Sequence, residues 1–330
     1  MLELAYLREN AGRIRKALES RGFPAAELEE FLQRDQQRRK AITEVEQLKA
    51  ERNRANAEIG RRKKEGQDPS ALMAQMKDIA ARIKQLGSSA EELDTDIQHR
   101  LLRLPNLPHS SVPVGRTPAD NVEVRRWGKP PEFDFVPKAH WDLGVGLGLL
   151  DFERASKLAG ARFAVYTGAG ARLERALAAF MLDVHTRENG YAEVLPPFVV
   201  NTASLVGTGQ LPKFAGDLFK LADTDFWLSP TAEVQLTNLF RDQTLDAAKL
   251  PLKLCGWTAN FRSEAGSYGK ETRGIVRQHQ FQKVELVKFA HPEKSYDELE
   301  SLTRDAESIL QKLGLAYRIV ALCTGDLGFA

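Results

Sequence analysis

Cysteine is nearly absent. Cys255 and Cys323 are the only two in 330 residues, and they form no CxxC pair. That excludes a disulfide-stapled scaffold and a thiolate zinc site, and it fits a reducing compartment. No run of about 18 apolar residues occurs, and the N-terminus, MLELAYLREN, carries acids early and has no signal-like apolar core. The expectation is a soluble cytoplasmic protein with no membrane partner. Charge of one sign is also missing: 47 basic residues face 45 acidic ones, a formal net of +2, so global charge points to no polyanionic partner. The six histidines are scattered and form no evident Ser/His/Asp or Cys/His group. A dinucleotide fingerprint is lacking too. Leu143 to Gly148 reads LGVGLG, a GxGxG with no strand before it, and is better taken as a turn and packing element.

What is present begins with helix. Leu4 to Leu18 reads as one short helix, stopped near Arg21-Gly22-Phe23-Pro24. From Leu28 the chain is highly charged, with a break at Gly66-Gln67-Asp68-Pro69-Ser70 and a second helical run from Ala71 to about Arg103. In that run Leu72, Met76, Ile79, Ile83, Leu86, Ala90, Leu93 and Ile97 alternate spacings of four and three, the seam of a coiled coil. The first run matches less cleanly through Ile42, Val45, Arg52, Ala55 and Ile59. Two such helices predict a long antiparallel hairpin, an arm of roughly 50 Å at 1.5 Å per residue. Residues 31–70 carry 11 Lys+Arg against 7 Asp+Glu, hence +4, whereas residues 71–104 carry 5 of each. The tip holds Arg61, Arg62, Lys63 and Lys64. These charges suit either a solvated helical surface or a grip on phosphates. Leu104 to Pro118 is rich in Pro and Ser and reads as a linker.

Beyond it, Arg172 to Val184 shows helical periodicity through Leu173, Leu177, Phe180, Met181 and Val184, followed by Gly190-Tyr191 and a stretch ending in Pro196-Pro197. Ser229-Pro230-Thr231-Ala232-Glu233 precedes an apolar helical run. Thr231 suits an N-cap with Glu233 in the first turn. Thr258 to Phe289 then suggests two extended segments around a glycine-bearing loop. With period 2, Arg262 and Glu264 share a direction, and Arg277, His279, Phe281, Lys283 and Glu285 share a face opposite Val276, Val284 and Leu286. An ordinary hairpin with a solvated charged face would read the same way. A surface for a planar phosphorylated ligand is the other reading: Arg for phosphate, Phe for stacking, Glu for amino groups.

The literal residues FRSEAG, TRG and RQHQFQKVE resemble motif 2 of class II aminoacyl-tRNA synthetases, in the form seen in the seryl-tRNA synthetase family. The resemblance extends to the charged arm, to LGLLDFERA, to a motif 1 pattern with its proline at Pro197, to the GTGQLPKF stretch and to TAE. It implies an α+β fold: an N-terminal antiparallel coiled-coil hairpin over residues 1–110 and a class II catalytic domain over 111–330, a mixed, mainly antiparallel sheet flanked by helices. It implies ATP as a substrate with Mg²⁺, L-serine, and tRNA(Ser), with tRNA(Sec) as a further candidate. It also implies a homodimer through motif 1 around Pro197. By position it assigns Arg262 and Glu264 to catalysis, and Arg262, Ser263, Glu264 and Phe281 to ATP. Thr231, Ala232, Glu233 and Glu285 fall to serine, and Ala265 to Ile275 to the tRNA acceptor end. The arm and its tip, Arg61 to Lys64, fall to the tRNA body. The family pattern also places further strands and a motif 3 arginine after the point where this sequence stops, so the 330 residues alone are expected to be inactive. A non-catalytic RNA-binding relative and a carrier-protein ligase are the competing classes; the arm argues against the second.

Overall fold

Gly66 and Pro69 turn the two charged runs back on each other. The computed structural model describes residues 2–264 and 273–329. These divide into two compact units, one of residues 1–122 with 321–330 and one of residues 123–320.

In the first unit, α1 (Leu4–Glu9), α2 (Ala11–Ser20), α3 (Ala25–Lys64) and α4 (Ser70–Leu101) follow in order. The single helix expected over Leu4 to Leu18 is two. Asn10 breaks it, turning its own side-chain amide onto the Tyr6 carbonyl at 3.1 Å, a local bond that competes with helix continuation. α3 and α4 are antiparallel: Arg38 meets Asp94 at 2.6 Å, Glu44 meets Arg82 at 3.0 Å and Glu51 meets Gln75 at 3.1 Å. The 40 residues of α3 span about 60 Å. Every position of the α4 stripe is buried or half-buried. In α3 the phase needs correcting. Ala41 is 8% exposed and Ile42 38%. The seam runs through Ala41, Val45, Leu48, Arg52, Ala55 and Ile59, and Ile42 lies about 100° off it.

Leu7, Ile14, Leu18, Phe31, Ile97 and Leu101 form the core at the base of the hairpin. Asp35 is buried beside it and accepts from Arg8 Nε at 2.7 Å and Nη2 at 2.6 Å, with Arg39 at 3.4 Å. Burial alone would raise the Asp35 carboxyl; the Arg8 hydrogen bonds and the surrounding cations outweigh it and hold the carboxyl low. The expected linker is not a solvated tether. Thr324 and Gly325 donate their N–H groups to the Pro113 and Gly115 carbonyls at 2.9 Å each. A Cβ on Gly115 would stand 2.3 Å from the Asp120 Cβ, so only glycine fits there.

The second unit contains β1 (Val122–Trp127), α5 (His140–Gly146), β2 (Leu150–Asp151), α6 (Phe152–Ala159), β3 (Val165–Tyr166), α7 (Ala169–Arg187) and β4 (Ala192–Glu193). β5 (Val199–Asn201), α8 (Thr202–Gly207), β6 (Phe226–Leu228), α9 (Ala232–Asn238), β7 (Leu252–Phe261), β8 (Gln280–Phe289), α10 (Ser295–Lys312) and β9 (Tyr317–Ala321) complete it. β7 and β8 pair antiparallel over ten residues each, from Leu252↔Phe289 to Phe261↔Gln280, and β4 adds parallel to β7. β5 pairs β6, β2 pairs β3, and β1 pairs β9. This is the mixed, mainly antiparallel α+β arrangement. Gly144 packs on Leu150, where a Cβ would come within 2.4 Å of the Leu150 side chain, so the LGVGLG stretch serves packing. Leu173, on the periodic apolar stripe of α7, is 55% exposed.

Two apolar clusters hold α9 in place. Val234 joins Leu205, Leu211 and Trp227, while Ala232 and Leu236 pack on Leu254 of β7. The Thr231 N-cap, whose hydroxyl accepts from the Glu233 N–H, is thereby fixed beside the β7–β8 pair.

Candidate active site

The site lies where β7 ends. Arg262 follows the last β7 residue, and its N–H donates to the His279 carbonyl at 2.9 Å, one step beyond the ladder. Arg262 Nε donates to the Pro230 carbonyl at 3.2 Å, and its guanidinium lies over the Phe281 ring, 5.1 Å from the centroid. Backbone and ring thus preset the plane of the fork. The period-2 face holds from Phe281 through Lys283 to Glu285, but β8 begins only at Gln280, so Arg277 and His279 fall outside the alternation. Val276, assigned to the apolar face, is 74% exposed for the same reason. Arg277 still reaches the site by another route, pairing with Glu264 at 2.8 Å. Glu264 has itself left the strand: its φ is +49°, a left-handed turn conformation.

Gln210, Phe214, Asp217, Leu218, Pro230, Thr231, Arg262, Glu264 and Arg277 line a cavity of about 370 Å³. Ser263 does not point freely into it. Its hydroxyl donates to the Gly216 carbonyl at 2.6 Å and its N–H to the Asp217 carbonyl at 2.9 Å, tying the end of β7 to the loop that forms the opposite wall.

Next to it is a polar cluster built by α9 and β8. Thr231 Oγ1 donates to Glu285 Oε2 at 2.7 Å and accepts from Lys283 Nζ at 2.8 Å; Lys283 and Glu285 also form an ion pair. Glu233 remains open to solvent on one side. Desolvation by the surrounding atoms and the Glu285 charge push its carboxyl up, against the opposing pull of Lys283 and Arg262. The Ala232 side chain is fully buried in the core, so only its backbone can serve the site. Beneath, the buried Ser229 hydroxyl meets Gln235 Oε1 at 2.9 Å, and Gln235 Nε2 donates to the Pro197 carbonyl at 2.8 Å. This joins the proline of the motif 1 pattern to the floor of the site.

The structure therefore gathers Thr231, Glu233, Arg262, Ser263, Glu264, Phe281 and Glu285 along the half of the β7–β8 pair that runs from Gly256↔Glu285 to Phe261↔Gln280 and just past it. The stretch Ala265 to Ile275, matched to the tRNA acceptor end, lies outside the described residues from 265 to 272. Lys283 and Arg277 were visible on the motif face but had no role assigned. Asp217, Gly216 and Pro230 contribute backbone carbonyls, which no residue-type pattern announces. In the other unit, Arg61 pairs with Glu58 at 2.9 Å and with Glu65 at 3.4 Å, and Arg62 pairs with Glu58 at 2.9 Å. Hydrogen bonds from Arg61 and Arg62 lower the Glu58 carboxyl to about 2.

An antiparallel pair ending in an arginine stacked on a partner-strand phenylalanine, with a capped helix supplying acids beside it, agrees with the class II aminoacyl-tRNA synthetase architecture that the motif 2 resemblance implies. Two family models match the chain: the seryl-tRNA synthetase N-terminal domain over residues 1–108, and the tRNA synthetase class II core domain (G, H, P, S and T) over residues 219–330. Serine–tRNA ligase of Solibacter usitatus is 58% identical over 99% of this chain and 77% of its own length. That of Acidobacterium capsulatum is 57% identical over 100% and 77%. Among solved structures, seryl-tRNA synthetase from Pyrococcus horikoshii complexed with ATP is similar, with a TM-score of 0.93 and 37% identity over 100% of this chain and 78% of that one. The chain belongs to the seryl-tRNA synthetase family, the serine–tRNA ligases.

Proposed function

We propose that this protein activates L-serine with ATP and transfers the seryl group to the 3′ end of a serine-accepting tRNA, with Arg262 on the α-phosphate and the Thr231–Glu233–Glu285 cluster on the amino acid. The observation that carries this reading is the juxtaposition of two unlike half-sites. A cation stacked on a ring faces the 370 Å³ cavity, and a carboxylate-rich cluster sits beside it. In the first step a serine carboxylate oxygen attacks the α-phosphorus, the bond to the β-phosphate oxygen breaks, and pyrophosphate leaves with the electron pair. A ribose hydroxyl of the tRNA terminus then attacks the seryl carbonyl and adenylate departs. Neither step needs a protein nucleophile; positioning and stabilisation of phosphoryl charge carry the rate. Among the described residues no group of three His, Cys, Asp or Glu side chains converges as a metal site. The chemistry assigned to this chain is phosphate binding by Arg262 and positioning; Mg²⁺, when bound, would supply charge neutralisation at the phosphates.

The Thr231 hydroxyl already donates to Glu285 and accepts from Lys283 and from the Glu233 N–H, which uses both its lone pairs. A substrate ammonium that binds Thr231 Oγ1 must take the place of Lys283. The seryl hydroxyl is told from alanine by hydrogen bonds whose loss would leave polar groups of the site unpaired. The arm unit, with exposed Lys63 and Lys64, is assigned to tRNA phosphates. A homodimer through the motif 1 region fits the apolar surface left uncovered there: Leu173 is 55% and Leu195 75% exposed. No helix among the described residues is long and apolar enough to cross a membrane. The test is serine-dependent ATP–pyrophosphate exchange by the protein as its gene encodes it. Exchange that serine stimulates and alanine does not supports the reading, and exchange indifferent to serine rejects it.

A further inference from the structure

One side chain at the end of the β7–β8 ladder has no part in the chemistry above. Beyond Phe261↔Gln280 the next pair in register is Arg262 and His279. An antiparallel pair whose N–H and carbonyl face each other normally exchanges two backbone bonds. Here the exchange is half made. The Arg262 N–H donates to the His279 carbonyl at 2.9 Å, but the His279 N–H turns away and donates to the Arg162 carbonyl at 3.0 Å. Arg162 sits at φ +62°, in the left-handed region. The imidazole takes the vacated place: His279 Nδ1 lies 2.9 Å from the Arg262 carbonyl oxygen. A carbonyl only accepts, so Nδ1 carries the proton. Two phenylalanines hold the ring, Phe163 with centroids 5.4 Å apart and Phe219 edge-on at 6.0 Å.

We infer that His279 is a positioning residue for adenylation: its Nδ1–H replaces the missing ladder bond and fixes the Arg262 backbone, from which the guanidinium reaches the α-phosphate. This rests on the proposed function, which puts Arg262 at that phosphate. The Arg262–Ser263 peptide is pinned on both sides, its carbonyl by the imidazole and its N–H by the Asp217 carbonyl at 2.9 Å. The peptide before it is held by the His279 carbonyl. Both backbone torsions of Arg262 are thereby set, while Pro230 and Phe281 set its side chain. Without the imidazole the Arg262 carbonyl loses this donor, and the torsion that aims it can drift. A misplacement of about 1 Å can cost about 10²-fold in rate. The cost falls on the transition state, where donors must meet the developing charge in a fixed place.

The experiment compares wild type, His279→Ala, His279→Asn and His279→Gln, each as the gene-encoded protein. Serine-dependent ATP–pyrophosphate exchange is measured with serine and ATP varied, and tRNA affinity and the midpoint of thermal unfolding report the fold. His279→Ala is expected to lower kcat about tenfold, the size of one net hydrogen bond at the upper end of its range. KM for serine and for ATP should stay within about twofold, as for an interaction that matters chiefly in the transition state. The side-chain amide nitrogen of asparagine falls where Nδ1 lies, so His279→Asn should recover most of kcat. In glutamine the amide lies one bond further out, near the place of Nε2, so His279→Gln should resemble His279→Ala. Affinity for tRNA should not move in any of them. Unchanged kcat in His279→Ala, a loss confined to KM, or an asparagine variant no better than the glutamine one would each overturn the inference. Should His279→Ala fail to fold, the comparison of asparagine with glutamine decides alone. A wild type that shows no serine-dependent exchange would instead overturn the reading of the site itself.

Discussion

Replacing Arg262 by lysine keeps the charge and removes the geometry, and its cost can be worked from the contacts. The guanidinium has Nε committed to the Pro230 carbonyl and its face on Phe281, leaving the two terminal nitrogens as a fork for one phosphate. Lysine offers a single ammonium, so one of two charge-assisted hydrogen bonds is lost, about 1.5–3 kcal/mol. The stacking contact weakens as well, by about 0.5–1 kcal/mol. Together these give about 2–4 kcal/mol, or about 30- to 1000-fold in rate. That range overlaps the ~10²–10³ typical of losing one preorganised donor to transition-state charge. The assay is serine-dependent ATP–pyrophosphate exchange, with tRNA binding as the control that should not move. A fall of less than threefold in exchange would refute the assignment of Arg262 to the α-phosphate. An equal fall in tRNA binding would show that the substitution acts through the fold.

Four further outcomes follow from particular contacts. Asp35→Ala leaves Arg8 facing an apolar base without its carboxylate, and should destabilise the protein by about 3–5 kcal/mol in denaturant unfolding; less than 1 kcal/mol would contradict the role of that network. Because the Asp35 carboxyl is lowered by folding, the stability it lends is complete above the ordinary carboxylate pKa and is lost as pH falls through the depressed native value. Glu233 has the opposite sign: its raised carboxyl costs stability as pH rises from the ordinary carboxylate range, so Glu233→Gln should raise the midpoint of thermal unfolding at neutral pH while lowering serine-dependent exchange. A lower midpoint would contradict this. On the proposed tRNA surface of the arm tip Glu58 would compete with phosphate for Arg61 and Arg62, so Glu58→Gln should tighten tRNA binding and steepen its salt dependence. Changing Arg61, Arg62, Lys63 and Lys64 to alanine should flatten it by up to about 0.9 per phosphate contact in the duplex limit. Unchanged slopes in both would remove the tip from the RNA surface.

What the sequence made legible was local. The α4 seam is a strict period of residue types, and each position came out covered, because a heptad is a direct record of which side faces a partner. The β7–β8 pair and the Thr231 cap were readable for the same reason: strand alternation and capping are set by neighbours in the chain. In α3 the residues on and off the seam are of mixed type, so the visible Ile42 drew the phase away from Ala41, a small residue that sits where the helices come close. Long-range partners left no trace. Arg277 reaches Glu264 because the chain has turned at a positive φ, and His140 reaches Ile275 across 135 positions. Among the groups that orient Arg262 and Ser263 are the carbonyls of Pro230, Gly216 and Asp217, which every residue possesses and no motif can mark. The site residues were therefore nameable from resemblance, whereas their support was visible only in the fold.

The central claim is that the Thr231–Glu233–Glu285 cluster selects serine for activation at Arg262. Glu285→Ala tests it most directly, because Glu285 binds the Thr231 hydroxyl and pairs with Lys283, where the proposed function puts the substrate ammonium. ATP–pyrophosphate exchange and tRNA binding should be measured side by side on wild type and variant. The account predicts that serine-dependent exchange collapses while tRNA affinity and its salt dependence stay as in wild type. Exchange that survives the substitution, or a parallel loss of exchange and tRNA binding in a folded protein, would contradict it.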